Sequence, residues 1–235
     1  MLTIGLMGGM SWESSLEYYR IINQYTAEKL GGLHSAKSVM VSLDFAAIEA
    51  LQMKDDWGGA AEMLTAAGRQ LERGGADFLV ICTNTMHLLA DRVQAEVDIP
   101  LLHIADATAR NIKEAGLGTV GLLGTRFTME KDFYRGRLEE KHQLDVLTPE
   151  ESGKDIVHRV IYDQLVQGVI EDSSRRKYLT IIANLVDRGA EGIILGCTEI
   201  GLLVKQKDLT TPVFDTAAIH AHAAVEVALE EVPLP

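Results

Sequence analysis

Cysteine, proline and long apolar runs are all scarce in this sequence. Its 235 residues include 2 Cys and 5 Pro. Two cysteines cannot form the disulfide framework of a small secreted domain, so we expect free thiols. No apolar run approaches the roughly 20 residues that span a bilayer, and MLTIGLMGGMSW lacks the basic flank and cleavage site of a signal peptide. We therefore expect a cytoplasmic protein without a membrane partner.

Positive charge is also in short supply. The 22 Lys and Arg residues are outnumbered by 34 Asp and Glu, which gives a net charge of -12. This balance argues against nucleic acid as a partner, because a phosphate backbone would be repelled. The same charge gives no long-range attraction for an acidic ligand, which would have to be held by local donors.

Short apolar segments rich in Ile, Val and Leu alternate with amphipathic stretches. The apolar segments are typical of strands buried on both faces. The amphipathic stretches are typical of the helices that connect such strands. The predicted strands are Leu2–Met7, Ser38–Leu43, Phe78–Cys82, Leu101–Ile104, Thr119–Leu123, Ile193–Gly196 and Val213–Phe214, and the predicted helices are Trp12–Lys29, Gly58–Arg73, Ile156–Val169 and Arg175–Arg188. The alternation predicts an α/β fold with mainly parallel, doubly wound sheets, in which ligands bind beyond the carboxyl ends of the strands.

The chain also resembles itself. RGGADFLVICTNT, which ends at Thr85, aligns with DRGAEGIILGCTE, which ends at Glu199, and this pairs Thr83 with Cys197. IGLMGG and VGLLGT, and IPLLH and TPVFD, repeat in the same order at nearly the same separation. The repeat predicts two pseudo-symmetric Rossmann-like lobes, residues 1–100 with 210–235 and residues 101–209, with the active site in the cleft between them.

Polar clusters follow two strands that the repeat pairs, Cys82 to His87 and Gly196 to Glu199. Alternation along a strand places Cys82 and Thr83 on opposite faces, and the repeat selects Thr83 as the one that faces the site. Cys82 is then a buried apolar thiol. For Cys197 we expect nearby backbone N–H groups to lower the thiol pKa and make it a useful base.

Metal and nucleotide binding have little support. His87, His103, His220 and His222 form no pair at a metal-ligand spacing, so we expect no metal site. The loop GLMGGM lacks the full spacing of a dinucleotide-binding loop, and no Walker lysine follows it.

Four motifs together resemble the aspartate/glutamate racemase superfamily, and its aspartate racemase branch in particular. They are GGMSWES at Gly8 to Ser14, NTMH at Asn84 to His87, GT-x-x-T at Gly124 to Thr128 and GCTEIGLL at Gly196 to Leu203. The resemblance implies a homodimer that needs no cofactor and racemises acidic amino acids. In that family two cysteines act on opposite faces of the substrate, one before Asn-Thr and one in Gly-Cys-Thr.

This sequence departs from the family pattern at the first of those cysteines, where it has Thr83. A thiol has a reference pKa of about 8.5 and a hydroxyl one near that of water, about 15.7, so Thr83 can supply a proton but is a poor base. The resemblance therefore implies Cys197 as the base, Thr83 as the proton donor and the L-enantiomer as the favoured substrate, aspartate or glutamate.

Short polar side chains and loop N–H groups are the candidates for binding that substrate. We assign the substrate to Met10, Ser11, Gln52, Asn84, Thr85, Thr125, Thr198 and Glu199. Gln52, Lys54 and Arg126 are the candidates for reading the side-chain carboxylate.

Two other functions remain open at this point. Relatives with a single cysteine include decarboxylases and cis-trans isomerases of small dicarboxylates, and the missing first cysteine is compatible with them. A non-catalytic binding protein for a small acid would keep the carboxylate site, but it would not need Cys197.

Overall fold

Helices and parallel strands alternate along residues 1–233, the part of the chain that the computed structural model describes. The strands are β1 (Ile4–Gly8), β2 (Ser38–Ser42), β3 (Phe78–Ile81), β4 (Leu101–Leu102), β5 (Thr119–Gly124), β6 (Asp145–Leu147), β7 (Gly192–Gly196) and β8 (Val213–Asp215). The α-helices are α1 (Trp12–Leu30), α2 (Phe45–Met53), α3 (Trp57–Arg73), α4 (Ala90–Gln94), α5 (Ile104–Glu114), α6 (Arg126–Glu130), α7 (Glu151–Asp163), α8 (Asp172–Asp187), α9 (Ile200–Leu203) and α10 (Thr216–Ala228).

The chain divides into two compact units. Unit 1 contains residues 1–103 and the segment from His220 onward, and unit 2 contains residues 104–219. Each has a parallel four-stranded sheet, in the order β2-β1-β3-β4 in unit 1 and β6-β5-β7-β8 in unit 2. The sequence placed residues 210–219 in the first lobe, but β8 pairs with β7, so this segment belongs to unit 2.

The two sheets repeat in detail as well as in order. The N–H of Leu79 donates to the carbonyl of Pro100 over 2.8 Å, and that of Ile193 donates to the carbonyl of Pro212 over 2.9 Å. These residues occupy matching positions in the alignment of the sequence with itself. The predicted α/β fold with two similar parallel sheets is confirmed.

The edge strands were predicted least well. We expected Ser38–Leu43 to be buried on both faces, but β2 is partly exposed, because it pairs with β1 on one side alone. The edge strand β6 of unit 2 was missed because its three residues are too few to form an apolar run. The inner strands β1, β3 and β7 are buried throughout, as expected.

The predicted helix Ile156–Val169 begins and ends earlier in the structure. Helix α7 starts at Glu151, and after Asp163 the chain makes a 3₁₀ turn, Leu165–Gln167. That turn ends at Gly168, whose φ of 73° is left-handed, a conformation that glycine adopts readily. Among the described residues, none of the helices has both the length and the apolar character needed to cross a bilayer.

Candidate active site

The loop after β1 folds back on the first turn of α1. Gly9 has a φ of 87°, and its N–H donates to the hydroxyl of Ser15 over 2.7 Å. Ser11 caps α1 by accepting the N–H of Ser14 over 3.3 Å. Met10 and Ser11 are therefore held in place and buried.

At the end of β3 the two candidate side chains differ in exposure. Cys82 is 1 % exposed, and burial raises the pKa of its thiol well above the usual value. Thr83 is partly exposed. The hydroxyl of Ser14 donates to the Cys82 carbonyl over 2.7 Å, which ties the start of α1 to this strand end. The burial pattern supports Thr83, rather than Cys82, as the accessible residue.

A 3₁₀ turn, Thr85–Leu89, follows directly. Asn84 and Thr85 are buried there, and the side-chain amide of Gln52 donates to the sulfur of Met86 over 3.0 Å. The structure thus brings Gln52 to the Asn-Thr segment. Lys54 lies exposed just beyond α2.

In unit 2, Cys197 follows β7 and is partly buried. Its Sγ donates to Oε2 of Glu199 over 3.1 Å, and the hydroxyl of Thr198 donates to the same oxygen over 2.6 Å. Glu199 is 5 % exposed, so its carboxylate meets the thiol in a largely dry setting. A thiol and a carboxylate in direct contact can share a proton.

The expected fall in the pKa of Cys197 is not what this environment gives. Burial and then the negative charge of Glu199 hold the pKa of the Cys197 thiol well above its usual value, and the N–H groups of residues 198 and 199 oppose this only in part. Sequence reasoning counted the N–H groups and missed the carboxylate beside the sulfur. Near neutral pH the resting thiol carries its proton.

The loop after β5 contains the other predicted residues of unit 2. Thr125 caps α6 by accepting the N–H of Thr128 over 3.3 Å. Arg126 contacts Glu130, and it binds Asp155 over 2.6 Å and Glu151 over 3.3 Å. Three carboxylates already neutralise its guanidinium, so Arg126 is a poor candidate for reading a substrate carboxylate.

A surface groove of unit 2 lies away from these residues. It lies between α7 and α8, has a volume of about 560 Å³ and is lined in part by Lys177, Asn184 and Arg188. None of the site residues predicted from the sequence lines it. Apart from Gln52 and Lys54 at the end of α2, those residues lie in each unit at the carboxyl ends of the two central strands, where parallel sheets place their ligands.

The chain thus has two parallel α/β sheets, with a polar cluster after a central strand in each. The Asp/Glu/hydantoin racemase family matches residues 7–224, and the chain belongs to this family. It is therefore an isomerase.

Solved structures agree with this assignment over nearly the whole chain. A protein from Yersinia pestis, provisionally described as an Asp/Glu racemase, is 54% identical, with a TM-score of 0.92 over 97% of this chain and 100% of its own. An aspartate racemase homologue from Pyrococcus horikoshii is 36% identical, with a TM-score of 0.85 and the same coverage. Among relatives by sequence, the broad specificity amino-acid racemase of Bacillus subtilis is 23% identical over 167 residues, 68% of each chain.

Proposed function

We propose that this protein racemises aspartate and glutamate without a cofactor and that it acts most readily on the L-enantiomers. The observation that carries the proposal is the contact of 3.1 Å between Cys197 and Glu199 at the end of β7, at the position that the repeat pairs with Thr83. The names of the relatives, an aspartate racemase homologue and a broad specificity amino-acid racemase, support the substrate class.

Glu199 provides a way to activate a thiol whose pKa is raised. The positive charge of the substrate ammonium group stabilises the negative charge that forms on the Cys197 sulfur. The thiol proton then passes to the Glu199 carboxylate, which already accepts its hydrogen bond. The thiolate then removes the α-proton of the L-amino acid. Sequence analysis assigned Glu199 to substrate binding; its contacts favour a role on the sulfur.

Thr83 completes the inversion in this proposal. Its hydroxyl, or a water bound to it, gives a proton to the opposite face of the carbanion, and it regains one from solvent. Glu199 releases to solvent the proton that it took, and the substrate proton remains on Cys197. The enzyme is restored without net gain or loss of protons.

Fixed donors stabilise the carbanion, because no pyridoxal ring is available to spread its charge. We assign the substrate carboxylate to Asn84, Thr85, Thr198 and the N–H groups of Met10 and Ser11, with Thr125 on the opposite side. Gln52 is the candidate that remains for the side-chain carboxylate, because it is buried beside the Asn-Thr segment.

Enantiomers have equal free energies, which limits the preference for the L form. A racemase must have the same kcat/KM in both directions, so the preference can show only in kcat and KM separately. A catalyst that works strictly in one direction is excluded.

The two cysteines provide a matched test of this proposal. Cys197→Ser should abolish formation of D-aspartate from L-aspartate, measured by chiral chromatography, because serine cannot act as the base. Cys82→Ser should retain the activity, because that thiol is buried and outside the mechanism. A fully active Cys197→Ser protein would contradict the proposal, and release of carbon dioxide from a dicarboxylate would favour a decarboxylase instead.

We further propose that the enzyme works in the cytoplasm as a homodimer. Both cysteines are free thiols, as a reducing compartment favours. In unit 1, the exposed face beside edge strand β2 includes Trp12, Leu16, Tyr19 and Met40, and no charged side chain lines its groove of about 500 Å³. Two copies that each carry a charge of -12 would repel one another least there. Sedimentation of the protein and of Leu16→Glu, expected to be a dimer and a monomer, tests this.

A further inference from the structure

Three histidines are packed against one another inside unit 1. The ring of His87 lies 4.7 Å from that of His103 and 5.6 Å from that of His220, measured between centroids. Their exposed fractions are 2 %, 6 % and 0 %. Within the described residues no group of metal-ligating side chains has the arrangement of a metal site. The cluster therefore needs another account.

One member of the cluster holds the backbone of Thr83. Nδ1 of His87 lies 2.8 Å from the Thr83 carbonyl oxygen. A carbonyl can only accept a hydrogen bond, so Nδ1 is the nitrogen that carries the proton. Burial, and then the neighbouring histidines, lower the pKa of His87, so the ring is neutral and its tautomer is fixed. The hydrogen bond to Thr83 is thus present throughout the neutral pH range.

The rest of the cluster fixes the ring of His87 in turn. Nε2 of His220 lies 2.9 Å from the Leu102 carbonyl, so it must donate, and its Nδ1 accepts the Tyr18 hydroxyl at 2.9 Å. Burial lowers the pKa of His220 to about 4, which keeps this ring neutral as well. The last residue of β4, helix α1 and helix α10 are thus joined in one network with His87.

Two members also mark the points where the chain changes units. The chain passes from unit 1 to unit 2 after His103 and returns to unit 1 at His220. The rings of both contact His87, which contacts Thr83. The position of the Thr83 backbone is therefore tied to both connections and not to its own strand alone.

We propose that His87 is a positioning residue that holds Thr83 where its hydroxyl can deliver a proton to the far face of the α-carbon. This inference rests on the proposed function, because it gives Thr83 the role described there. His87 does not touch the substrate in this account. It acts through the Thr83 carbonyl, so its loss should impair the half of the reaction that Thr83 completes.

The test separates the two halves of the reaction with L-aspartate in deuterated water. Deuterium in recovered L-aspartate reports the half carried out by Cys197, and D-aspartate reports inversion. His87→Leu, which lacks the donor, should raise the ratio of exchange to inversion by about tenfold or more, because a displacement of about 1 Å can cost 10²-fold in rate. His87→Asn, whose amide nitrogen can replace Nδ1, should keep a ratio close to that of the unmodified protein.

His222→Leu is the matched control. His222 lies on α10, as His220 does, but its ring contacts that of Tyr25, at 4.2 Å between centroids, so the ratio of exchange to inversion should not change. Equal losses of exchange and inversion in His87→Leu would show a merely structural role and overturn the proposal, as would an unchanged ratio. If His87→Leu does not fold, His87→Gln replaces it, because its amide reaches past the Nδ1 position. A wild-type protein that neither exchanges nor inverts aspartate or glutamate would overturn the proposed function, and this inference with it.

Discussion

Cys197 has two neighbours with opposite effects on its charge. The N–H groups after β7 favour a thiolate, while burial and the Glu199 carboxylate favour the neutral thiol and prevail. In the proposed mechanism the Cys197 thiol must lose its proton before it can act as a base, and the Glu199 carboxylate that accepts its hydrogen bond lies 3.1 Å away. The proposal therefore needs Glu199 as the acceptor of that proton.

Glu199→Gln should separate thiol acidity from catalysis. Removing the negative charge lowers the pKa of Cys197, so alkylation by iodoacetamide at pH 8 should become faster. Racemisation should fall by about 10²-fold or more, since the amide cannot accept the thiol proton. Both rates can be measured on the same preparation.

Cys197→Ser provides the blank for that alkylation, because the only other thiol, Cys82, is buried. An alkylation rate and an activity both like those of the unmodified protein would mean that Glu199 has no influence on the sulfur.

The sequence contained part of this site. Alternation along a strand and the repeat were enough to choose Thr83 over Cys82, and the exposure of the two side chains agrees with that choice. The partners of Arg126 could not be predicted, because Glu151 and Asp155 reach it from α7, distant in the chain. Side-chain contacts of this kind depend on packing that no local pattern encodes.

At the scale of the elements, two central strands of unit 2 end in glycine where they approach one another. A Cβ added to Gly196 would lie 2.8 Å from the carbonyl oxygen of Leu123 and 3.1 Å from a methyl carbon of Thr128. One added to Gly124 would lie 2.9 Å from the carbonyl oxygen of Gly196. This close approach sets the positions of the loops that contain Thr125 and Cys197.

Gly196→Ala should consequently damage both stability and activity. Forcing a methyl group against backbone typically costs about 1–3 kcal/mol, and the resulting shift would displace Cys197 directly. The free energy of unfolding in urea and the rate of racemisation measure the two effects.

Gly118→Ala is the control in the same unit. Its added Cβ would have a single neighbouring atom within 4 Å, a carboxylate oxygen of Glu191 at 3.9 Å. If Gly196→Ala were as stable and as active as Gly118→Ala, the strand ends would not be packed as described.

The elements that the sequence did not predict lack a regular apolar period. The apolar run Leu101–Ile104 was interpreted as one strand, yet β4 has only two residues and Ile104 already begins α5. Helix α10 is rich in alanine and apolar on most sides, so its periodicity is weak. Patterns predicted the long central elements well, because burial on one face or on both gives them a regular period.

At the scale of the whole molecule, the duplicated sheets account for the chemistry better than any single motif. Thr83 follows β3 in unit 1 and Cys197 follows the equivalent strand β7 in unit 2, each near the carboxyl end where a parallel sheet places its ligands. In the proposed mechanism unit 2 provides the thiol base and unit 1 provides only a hydroxyl, so a nearly symmetric fold would perform an asymmetric reaction.

Stability should fall as the protein is acidified, because His220 is buried as a neutral ring. Burial lowers its pKa from 6.5 to about 4, so between these values the unfolded chain binds the extra proton and the folded chain does not. The contribution is fully present above pH 6.5 and is lost as the pH falls toward 4, by roughly 3 kcal/mol in total. Urea unfolding at several pH values measures it.

His220→Gln retains a donor for the Leu102 carbonyl but cannot titrate, so its stability should depend less steeply on pH in that window. The exposed His34→Gln should keep the original slope. Equal slopes in all three proteins would contradict a neutral buried His220.

The most direct test of the central claim is the fate of the α-hydrogen of L-aspartate in deuterated water, followed by mass spectrometry with chiral separation. A thiol on one face and a hydroxyl on the other should produce D-aspartate that contains deuterium at the α-carbon. Deuterium that enters L-aspartate while no D-aspartate forms would mean that Thr83 cannot complete the inversion, and this result would contradict the account.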